Sequence, residues 1–423
     1  MLIFNKSKTN LEYNLSVNNI NGILQAFSIN LVVPFAGLYA KRLNANDTDI
    51  ALLNSYPAVF CILAVFLGTG LFTKYKQKQK ITTISFIFAR SFFLIFILIP
   101  FFPSWIQPGL FVLMYGAMNF PNSLATMGWQ SFLGDLFSDT WRGRAFSKRS
   151  SLSTISALMV TFITGNLLFY IPKNNTQRIH LYQIFFAIAF ILSLLEVFSF
   201  TKHKLDRNSR QIETVTTNLG VNKFDTFKKT VSMIKGNKNF LYFCICVVFF
   251  HFSWQMGWPL FFSYEVDILH SNESWTSITN TVSFIAQAIA YVLWQKFSEK
   301  KGNNLAIFYA ALFMACCPFF YIISKSMFQV AAFTVVTGSA TAGTLLLLSN
   351  NLYETAPDEN RTIYIAAYTV LTNITLIFAP IIGMKIKNIT NIYIALLIVG
   401  ILRILSSFTF YFRYKYLKNK ELV

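Results

Sequence analysis

The chain has 423 residues, of which 54% are hydrophobic, 17% aromatic and only 13% charged. A soluble domain carries about 25% charged residues, so this composition excludes an ordinary water-soluble protein and predicts a membrane protein. The net charge of +19 is expected from basic cytoplasmic loops that attract anionic lipid. We therefore expect a lipid bilayer, and no nucleic acid, as the partner of these charges.

Twelve apolar stretches follow one another along the chain, each near the roughly 20 residues that cross a hydrocarbon core as a helix. The first six lie at about 14–40, 49–73, 81–102, 108–134, 151–172 and 181–201. The second six lie at about 239–264, 274–297, 305–324, 327–352, 362–384 and 391–412. We predict an all-α integral membrane protein with a six-helix bundle over 1–201, a cytoplasmic linker over 202–238 and a second six-helix bundle over 239–423.

Lysine and arginine set the expected orientation, because short loops rich in them stay in the cytoplasm. If the N-terminus is inside, inner segments hold about 27 of the 36 basic residues and outer loops hold about seven. The inner loop Lys74-Tyr-Lys-Gln-Lys-Gln-Lys80 is basic, whereas the outer loop over 103–108 has no charge. We expect both termini in the cytoplasm, in a multi-pass protein of the plasma (inner) membrane.

Signatures of enzymes and metal sites are absent from the sequence. It contains no Gly-rich P-loop, no His-Glu-x-x-His and no Gly-x-Ser-x-Gly. All five cysteines lie inside predicted spans, where a disulfide framework or a zinc cage lacks the loops it needs. We expect no enzyme activity, no cofactor, no metal and no transport driven by ATP on this chain.

A short charged segment after the fourth span recurs after the tenth. Asp135-Leu-Phe-Ser-Asp139-Thr-Trp-Arg142 corresponds to Glu354-Thr-Ala-Pro-Asp358-Glu-Asn-Arg361, with an offset of 219 at each of the three charged positions. The early spans of each half also share residues, with offsets of 225 or 226: Ser28 and Ser253, Pro34 and Pro259, Tyr39 and Tyr264, Asn54 and Asn280. Two related halves of six spans in parallel order are typical of secondary transporters.

These features resemble the major facilitator superfamily (MFS) over nearly the whole chain. That family has, between spans two and three, a Gly, three residues, an Asp, two residues, a Gly and then basic residues, with a weaker copy between spans eight and nine. Here Gln295-Lys-Phe-Ser-Glu299-Lys-Lys-Gly302 keeps the acid and the later glycine, whereas the segment from Gly70 has Lys74 in the position of the acid. The resemblance implies two pseudo-symmetric bundles that rock around a central site.

The charged inner loops are a candidate coupling and gating latch. Carboxylates and cations at the cytoplasmic mouth can stabilise one packing of the halves and release it in another. The alternative is simple anchoring of helix ends by solvated charges, each worth roughly 0–1 kcal/mol. The residues assigned to the latch are Lys74, Asp135, Asp139, Arg142, Glu299, Glu354 and Arg361.

The resemblance places spans one, four, seven and ten around the central site. Span one carries Asn18, Asn21, Gln25 and Ser28 at helical spacing, a stripe that is costly to expose to lipid. For any single amide the alternative is an interhelical hydrogen bond worth about 0.6 kcal/mol. The candidate substrate-binding residues are Asn21, Gln25, Ser28, Asn119, Asn122, Gln130, His251, Trp254, Gln255 and Trp258.

Charges within spans are rare, because placing one at the centre of a span costs about 2.5–3.5 kcal/mol on insertion scales. Arg90 and Arg403 lie near mid-depth, whereas Glu196 lies about one turn from the inner end of span six and can reach the interface. Arg90, assigned to coupling, either binds an anionic substrate, pairs with a buried carboxylate or tethers helices. His251 either takes part in proton coupling, since imidazole titrates near neutral pH, or is a neutral, hydrogen-bonded core residue.

We expect a monomeric secondary transporter of a small-molecule substrate, with protons as a candidate coupling ion. The aromatic, amide-rich and nearly uncharged predicted cavity favours ion-gradient-coupled efflux of an amphipathic or aromatic compound. Uptake of a neutral solute such as a sugar is the alternative, because amides and tryptophans also bind sugars. A transport-inactive sensor or assembly protein on the same fold is a third hypothesis, in which the linker docks a partner.

Overall fold

The computed structural model describes residues 10–74, 77–137, 139–204, 236–357 and 361–419. Regular structure in these ranges is helical throughout. The chain divides into two compact units, Met1–Thr214 and Val215–Val423. The division falls within the predicted linker over 202–238, most of which lies outside the described residues.

The described residues of the first half form six long helices. They are α1 (Asn10–Asn30), α2 (Asp47–Lys74), α3 (Lys78–Leu98), α4 (Gln107–Leu136), α5 (Asp139–Tyr170) and α6 (Asn175–Thr201). The first span is interrupted, because α1 is followed by a 3-10 turn over Val33–Phe35 and a short helix over Ala36–Arg42. Pro34 lies in that turn, where its missing N–H does not break an α-helical hydrogen bond.

The described part of the second half also forms six long helices. They are α7 (Lys238–Ser263), α8 (Glu273–Lys301), α9 (Asn303–Ala315, continued by Cys317–Ile323), α10 (Met327–Thr355), α11 (Arg361–Ile389) and α12 (Ile392–Asn419). A π-helical turn over Tyr264–Ile268 extends α7. Side chains of Asn237, Asn272 and Ser326 cap the starts of α7, α8 and α10, each satisfying a backbone N–H that the first helical turn leaves unpaired.

The described helices have the length and surface of a membrane protein. Eleven helical segments are long and apolar enough to cross a bilayer, and α4 is a further 30-residue helix. Large apolar side chains are exposed on the outside of the bundles, among them Phe66, Phe88 and Phe328. Apolar side chains of this kind are stable against lipid. The backbone polar groups are paired within the helices, as the hydrocarbon region of a bilayer requires. The prediction of an all-α integral membrane protein is confirmed.

The repeat of Tyr39 and Tyr264 corresponds to a repeated contact in the structure. Tyr39 Oη donates to the carbonyl of Phe96 at 3.5 Å, and Tyr264 Oη donates to the carbonyl of Ser324 at 3.0 Å. Both rings are buried. In each half a tyrosine from the first span therefore contacts the end of the third span.

The first half is held together at its centre by an ion pair between α3 and α6. Arg90 Nε donates to Glu196 Oε2 and Arg90 Nη2 to Glu196 Oε1, each at 3.0 Å, and both side chains are about 1% exposed. Asn122 Oδ1 of α4 accepts from Arg90 Nη1 at 3.3 Å, and Ser28 Oγ of α1 donates to Glu196 Oε2 at 3.4 Å. The carboxylate thus binds Arg90, and the expectation that Glu196 reaches the interface is wrong.

The chain leaving α6 is fixed to the start of α1. Asn14 Nδ2 donates to the carbonyl of Lys204 at 2.8 Å, and the Lys204 N–H donates to Asn14 Oδ1 at 3.0 Å. The neighbouring His203 is buried against the rings of Phe132 and Phe200, and its Nδ1 lies 2.8 Å from the Phe200 carbonyl. The pKa of His203 is lowered to about 4, mainly by burial; the Phe200 hydrogen bond opposes this shift, and the Arg149 charge adds to it.

Breaking the Arg90–Glu196 pair on one side is expected to destabilise the first half strongly. Arg90→Gln or Glu196→Gln leaves a buried charge unpaired, which costs about 3–5 kcal/mol. The double variant removes both charges and should lose less than the sum of the two single variants, as measured by unfolding in detergent. The more exposed pair Lys387–Asp267, at 3.5 Å, is the control: Lys387→Gln should change stability by about 0–1 kcal/mol. Additive losses in the Arg90 and Glu196 variants would contradict direct pairing.

Neutral His203 makes folding pH-dependent. Its folded pKa of about 4 lies below the ordinary value of 6.5, so its stabilising contribution is present above about pH 6.5 and is lost as the pH falls towards 4. The loss is about 1.4 kcal/mol per pH unit within this window. A His203→Gln variant should therefore show a smaller decrease in melting temperature between pH 7 and pH 4.5 than the wild type. Equal decreases would mean that folding does not lower the pKa of His203.

Candidate functional site

The polar stripe of α1 contacts α5 and α6. Asn21 Nδ2 donates to the Glu196 carbonyl at 2.9 Å and to Ser199 Oγ at 3.1 Å. Asn21 Oδ1 and Gln25 Oε1 both accept from Arg149 Nη2, at 3.0 and 2.8 Å. Two of the three predicted binding residues of span one thus meet a cation from α5, and Asn21 also contacts α6 beside the Arg90–Glu196 pair.

Arg149 is a candidate site residue that sequence reasoning missed. The sequence places it beside Lys148 in a basic inner loop, but in the structure it lies within α5 and is 8% exposed. Its guanidinium lies over the ring of Trp129 on α4, 4.2 Å from the centroid, a distance at which the cation is attracted to the face of the indole. The internal repeat could have pointed to Arg149. The offset of 219 that relates the two charged segments also relates Arg149 to Tyr368, and Tyr368 contacts the predicted binding residue His251.

The second half brings His251 and Gln255 of α7 against α11. Gln255 Nε2 lies 3.3 Å from His251 Nδ1 and donates to the Thr372 carbonyl at 3.2 Å, and Thr375 Oγ1 donates to Gln255 Oε1 at 2.7 Å. His251 Nε2 lies 3.3 Å from Tyr368 Oη. Because an amide nitrogen only donates, Nδ1 is the acceptor and the imidazole is neutral with its proton on Nε2. This geometry fits the hydrogen-bonded core histidine.

Aromatic rings surround this pair. Trp254 lies 5.5 Å from His251 and 5.8 Å from Trp258, measured between ring centroids. The backbone of α7 at the same level binds Arg403 of α12, whose Nη2 donates to the Trp254 carbonyl at 2.8 Å. Gly257 makes this approach feasible, since a Cβ there would lie 2.7 Å from Arg403 Nη2. The helix that carries the two tryptophans is therefore fixed to α12 at the level of Trp254.

Two other predicted binding residues lie apart from these contacts. Asn119 donates to the Tyr115 carbonyl one turn back on α4, and Gln130 is exposed towards the C-terminal end of the same helix. Among the described residues, neither joins the hydrogen bonds around Arg149 or His251.

The latch residues are only partly described. Glu299 is exposed and accepts from Gln295 at 3.1 Å within α8, and Glu354 is exposed and accepts from Asn303. The side chains of Lys74, Asp135, Asp139, Arg142 and Arg361 lie outside the described part of the structure, as does Asp358. The latch stays a prediction from the repeated sequence.

Comparison with solved structures identifies the fold. The nucleoside transporter NupG superposes with a TM-score of 0.72 at 15% identity, covering 96% of this chain and 100% of that one. A D-xylose-proton symporter gives 0.71 at 13% identity, covering 94% and 96%. A bacterial homologue of the human lysosomal transporter Spinster, in an inward-facing conformation, gives 0.66 at 12% identity, covering 96% and 99%. At these identities the likeness shows the fold alone.

The sequence itself matches one family model along almost its full length. No curated protein matches it significantly. The model described as Major Facilitator Superfamily matches residues 19–264 and 243–422, which together cover both halves. By family and fold this is a membrane transporter and not an enzyme, and the resemblance found in the sequence is confirmed: the chain belongs to the Major Facilitator Superfamily.

Proposed function

We propose that this protein is a secondary transporter that exports an amphipathic or aromatic organic compound by alternating access, coupled to an ion gradient. One observation carries the proposal: in both halves the first and fifth helices share hydrogen-bonded polar side chains with a tryptophan beside them. In the first half Asn21 and Gln25 meet Arg149 beside Trp129. In the second half His251 meets Tyr368 beside Trp254.

These groups suit a ring-bearing solute. Amide and hydroxyl groups fix the orientation of a small ligand through a few hydrogen bonds, while aromatic rings supply most of the contact area. Trp258 is half-buried and lies edge-on to Trp254, so part of its ring remains available for contact. A compound with one flat apolar face and polar edges would use both kinds of group.

Uptake of a neutral solute such as a sugar or nucleoside is the second candidate. The similarity in fold to a nucleoside transporter and to a D-xylose-proton symporter favours it. The two candidate functions, export and uptake, differ in the direction of transport and in the polarity of the transported solute. They share the groups on α1, α5, α7 and α11.

We propose His251 as the proton site if the gradient is a proton gradient. A proton on Nδ1 would meet the Gln255 amide N–H at 3.3 Å, so protonation requires the Gln255 side chain to turn. That side chain also binds Thr372 and Thr375 of α11. Proton binding would therefore be linked to the contact between α7 and α11.

Transport in proteoliposomes tests the function directly. Purified protein should move at least one compound from a panel of lipophilic aromatics, sugars and nucleosides, and vesicles loaded on either side establish the direction. Gln255→Ala removes three hydrogen bonds at the site and should reduce the initial rate at least tenfold. The control Gln329→Ala removes an exposed amide from the start of α10, where among the described residues its oxygen accepts only from the Lys325 N–H, and should leave the rate unchanged. Correctly folded protein that moves no compound would favour the transport-inactive sensor.

The proton proposal has a separate test. His251→Asn cannot take up a proton near neutral pH, so substrate exchange between equal concentrations should persist while accumulation driven by a pH gradient is lost. Both activities are measured on the same proteoliposomes with a labelled substrate. Accumulation that survives in His251→Asn would exclude His251 as the proton site.

A further inference from the structure

The buried polar residues around α1 carry an unbalanced charge. Arg90 and Arg149 are cations and Glu196 is the anion among them, and all three are at least nine-tenths buried. Both oxygens of Glu196 accept from Arg90. Among the described residues, the hydrogen bonds of Arg149 go to neutral amide oxygens only. Within that part of the chain one positive charge is therefore buried without a bonded carboxylate, and a bound anion would lower the free-energy cost of burying it.

Hydrogen-bond donors beside this charge are also unpaired. Arg149 Nε, Ser153 Oγ and Trp129 Nε1 are all buried and have no hydrogen-bond partner among the described residues. Leaving a buried donor unpaired costs about 1–3 kcal/mol, and more when the donor is charged. A ligand with several acceptor oxygens would satisfy these donors, as carboxylates and phosphates do with arginine.

Gly22 of α1 brings two of these donors together. A Cβ at this position would lie 2.6 Å from Arg149 Cγ and 2.7 Å from Ser153 Oγ, so the absence of a side chain lets both residues lie against α1. Arg149 and Ser153 are one helical turn apart on α5 and face the same side. Their donors can therefore approach one ligand.

We propose that Arg149 binds the anionic group of the transported solute, a carboxylate, sulfonate or phosphate, and that an aromatic ring of that solute packs beside Trp129. The inference rests on the proposed transport function and narrows its substrate class to organic anions. Ser153 contributes a second donor, and Asn21 and Gln25 position the guanidinium through Nη2. In the second half the corresponding position is Tyr368, which is neutral, so recognition of charge is assigned to the first half.

Arg413 is the closest structural counterpart, and its bonding differs. Its Nε is also buried without a described partner. However, both of its Nη atoms are bound by amide oxygens from three helices, those of Asn239, Asn304 and Asn351 at 2.6–3.0 Å. Arg413 is thus fixed as a tether between helices, whereas the hydrogen bonds of Arg149 to other described residues use a single nitrogen.

Thermal stabilisation in detergent provides the test, with benzoate, naphthalene-2-sulfonate and phenyl phosphate as probes. Each is compared with an uncharged analogue of the same ring, namely benzamide, naphthalene-2-sulfonamide and phenol. The anions should stabilise the wild type with at least tenfold lower apparent Kd than their analogues, and Arg149→Gln should abolish this preference. Arg149→Lys keeps the charge without the planar fork and should retain a weaker preference.

Lys148→Gln is the matched control, because Lys148 is exposed next to Arg149 on the same helix and its removal changes the net charge equally. The control should retain the full preference for anions. Neutral probes that bind as well as the anions, with no effect of Arg149→Gln in a folded variant, would overturn this inference and leave the transporter proposal intact.

A phospholipid headgroup offers the same chemistry, so short-chain phosphatidylglycerol and phosphatidylcholine form a further arm. If phosphatidylglycerol alone stabilises through Arg149, the site binds lipid and the substrate proposal is overturned. If the aromatic anions also drive counterflow in phosphatidylcholine vesicles, and Arg149→Gln prevents it, the proposal is supported. If sugars or nucleosides drive counterflow and the anions do not, the inference fails while the transport function stands. If neither the aromatic anions nor the sugars and nucleosides bind or are transported, both the anion-binding inference and the proposed transport function fail.

Discussion

The ion pair between Arg90 and Glu196 is the interaction on which the first half depends. In a bundle surrounded by lipid, a buried charge cannot be hydrated, and its cost falls only when an opposite charge and further hydrogen bonds surround it. Here two parallel bonds join α3 to α6, while Asn122 and Ser28 add contacts from α4 and α1. Four of the six helices are therefore fixed relative to one another at one point.

The second half uses its buried arginines differently. Arg403 donates to the backbone carbonyls of Ser253, Trp254 and Met314, at 3.4, 2.8 and 3.3 Å. Carbonyl dipoles spread over two helices compensate the charge only in part, but they do not bring a second desolvated ion into the bundle. The arrangement fixes the backbone of α7 at the level of Trp254, and so holds the helix that carries the candidate residues His251 and Gln255.

The fold could be predicted from the sequence because its signals are periodic and repeated. Apolar stretches of about 20 residues and the pair Tyr39 and Tyr264 gave spans and symmetry that the structure shares. The partners of individual polar residues could not be predicted. Whether Glu196 reaches water or Arg90 depends on the rotation of α6, and a shift of a single residue turns a side chain by about 100°. Arg149 was missed because the sequence shows it next to Lys148 in a basic segment, where neighbouring cations look alike. In the structure Lys148 is exposed and Arg149 is buried.

The two halves agree at residues that join their first and sixth helices and differ at a polar residue of the fifth helix. Ser28 and Ser253 each donate to a carbonyl three residues earlier and contact the sixth helix of their own half. On the fifth helices, by contrast, Arg149 corresponds to Tyr368. Six helices must pack together in each half, so the same residues can make equivalent packing contacts in both halves. The contacts that hold each bundle together are therefore duplicated, whereas the residue of the fifth helix that contacts the first helix of its own half is a cation in one half and a neutral tyrosine in the other.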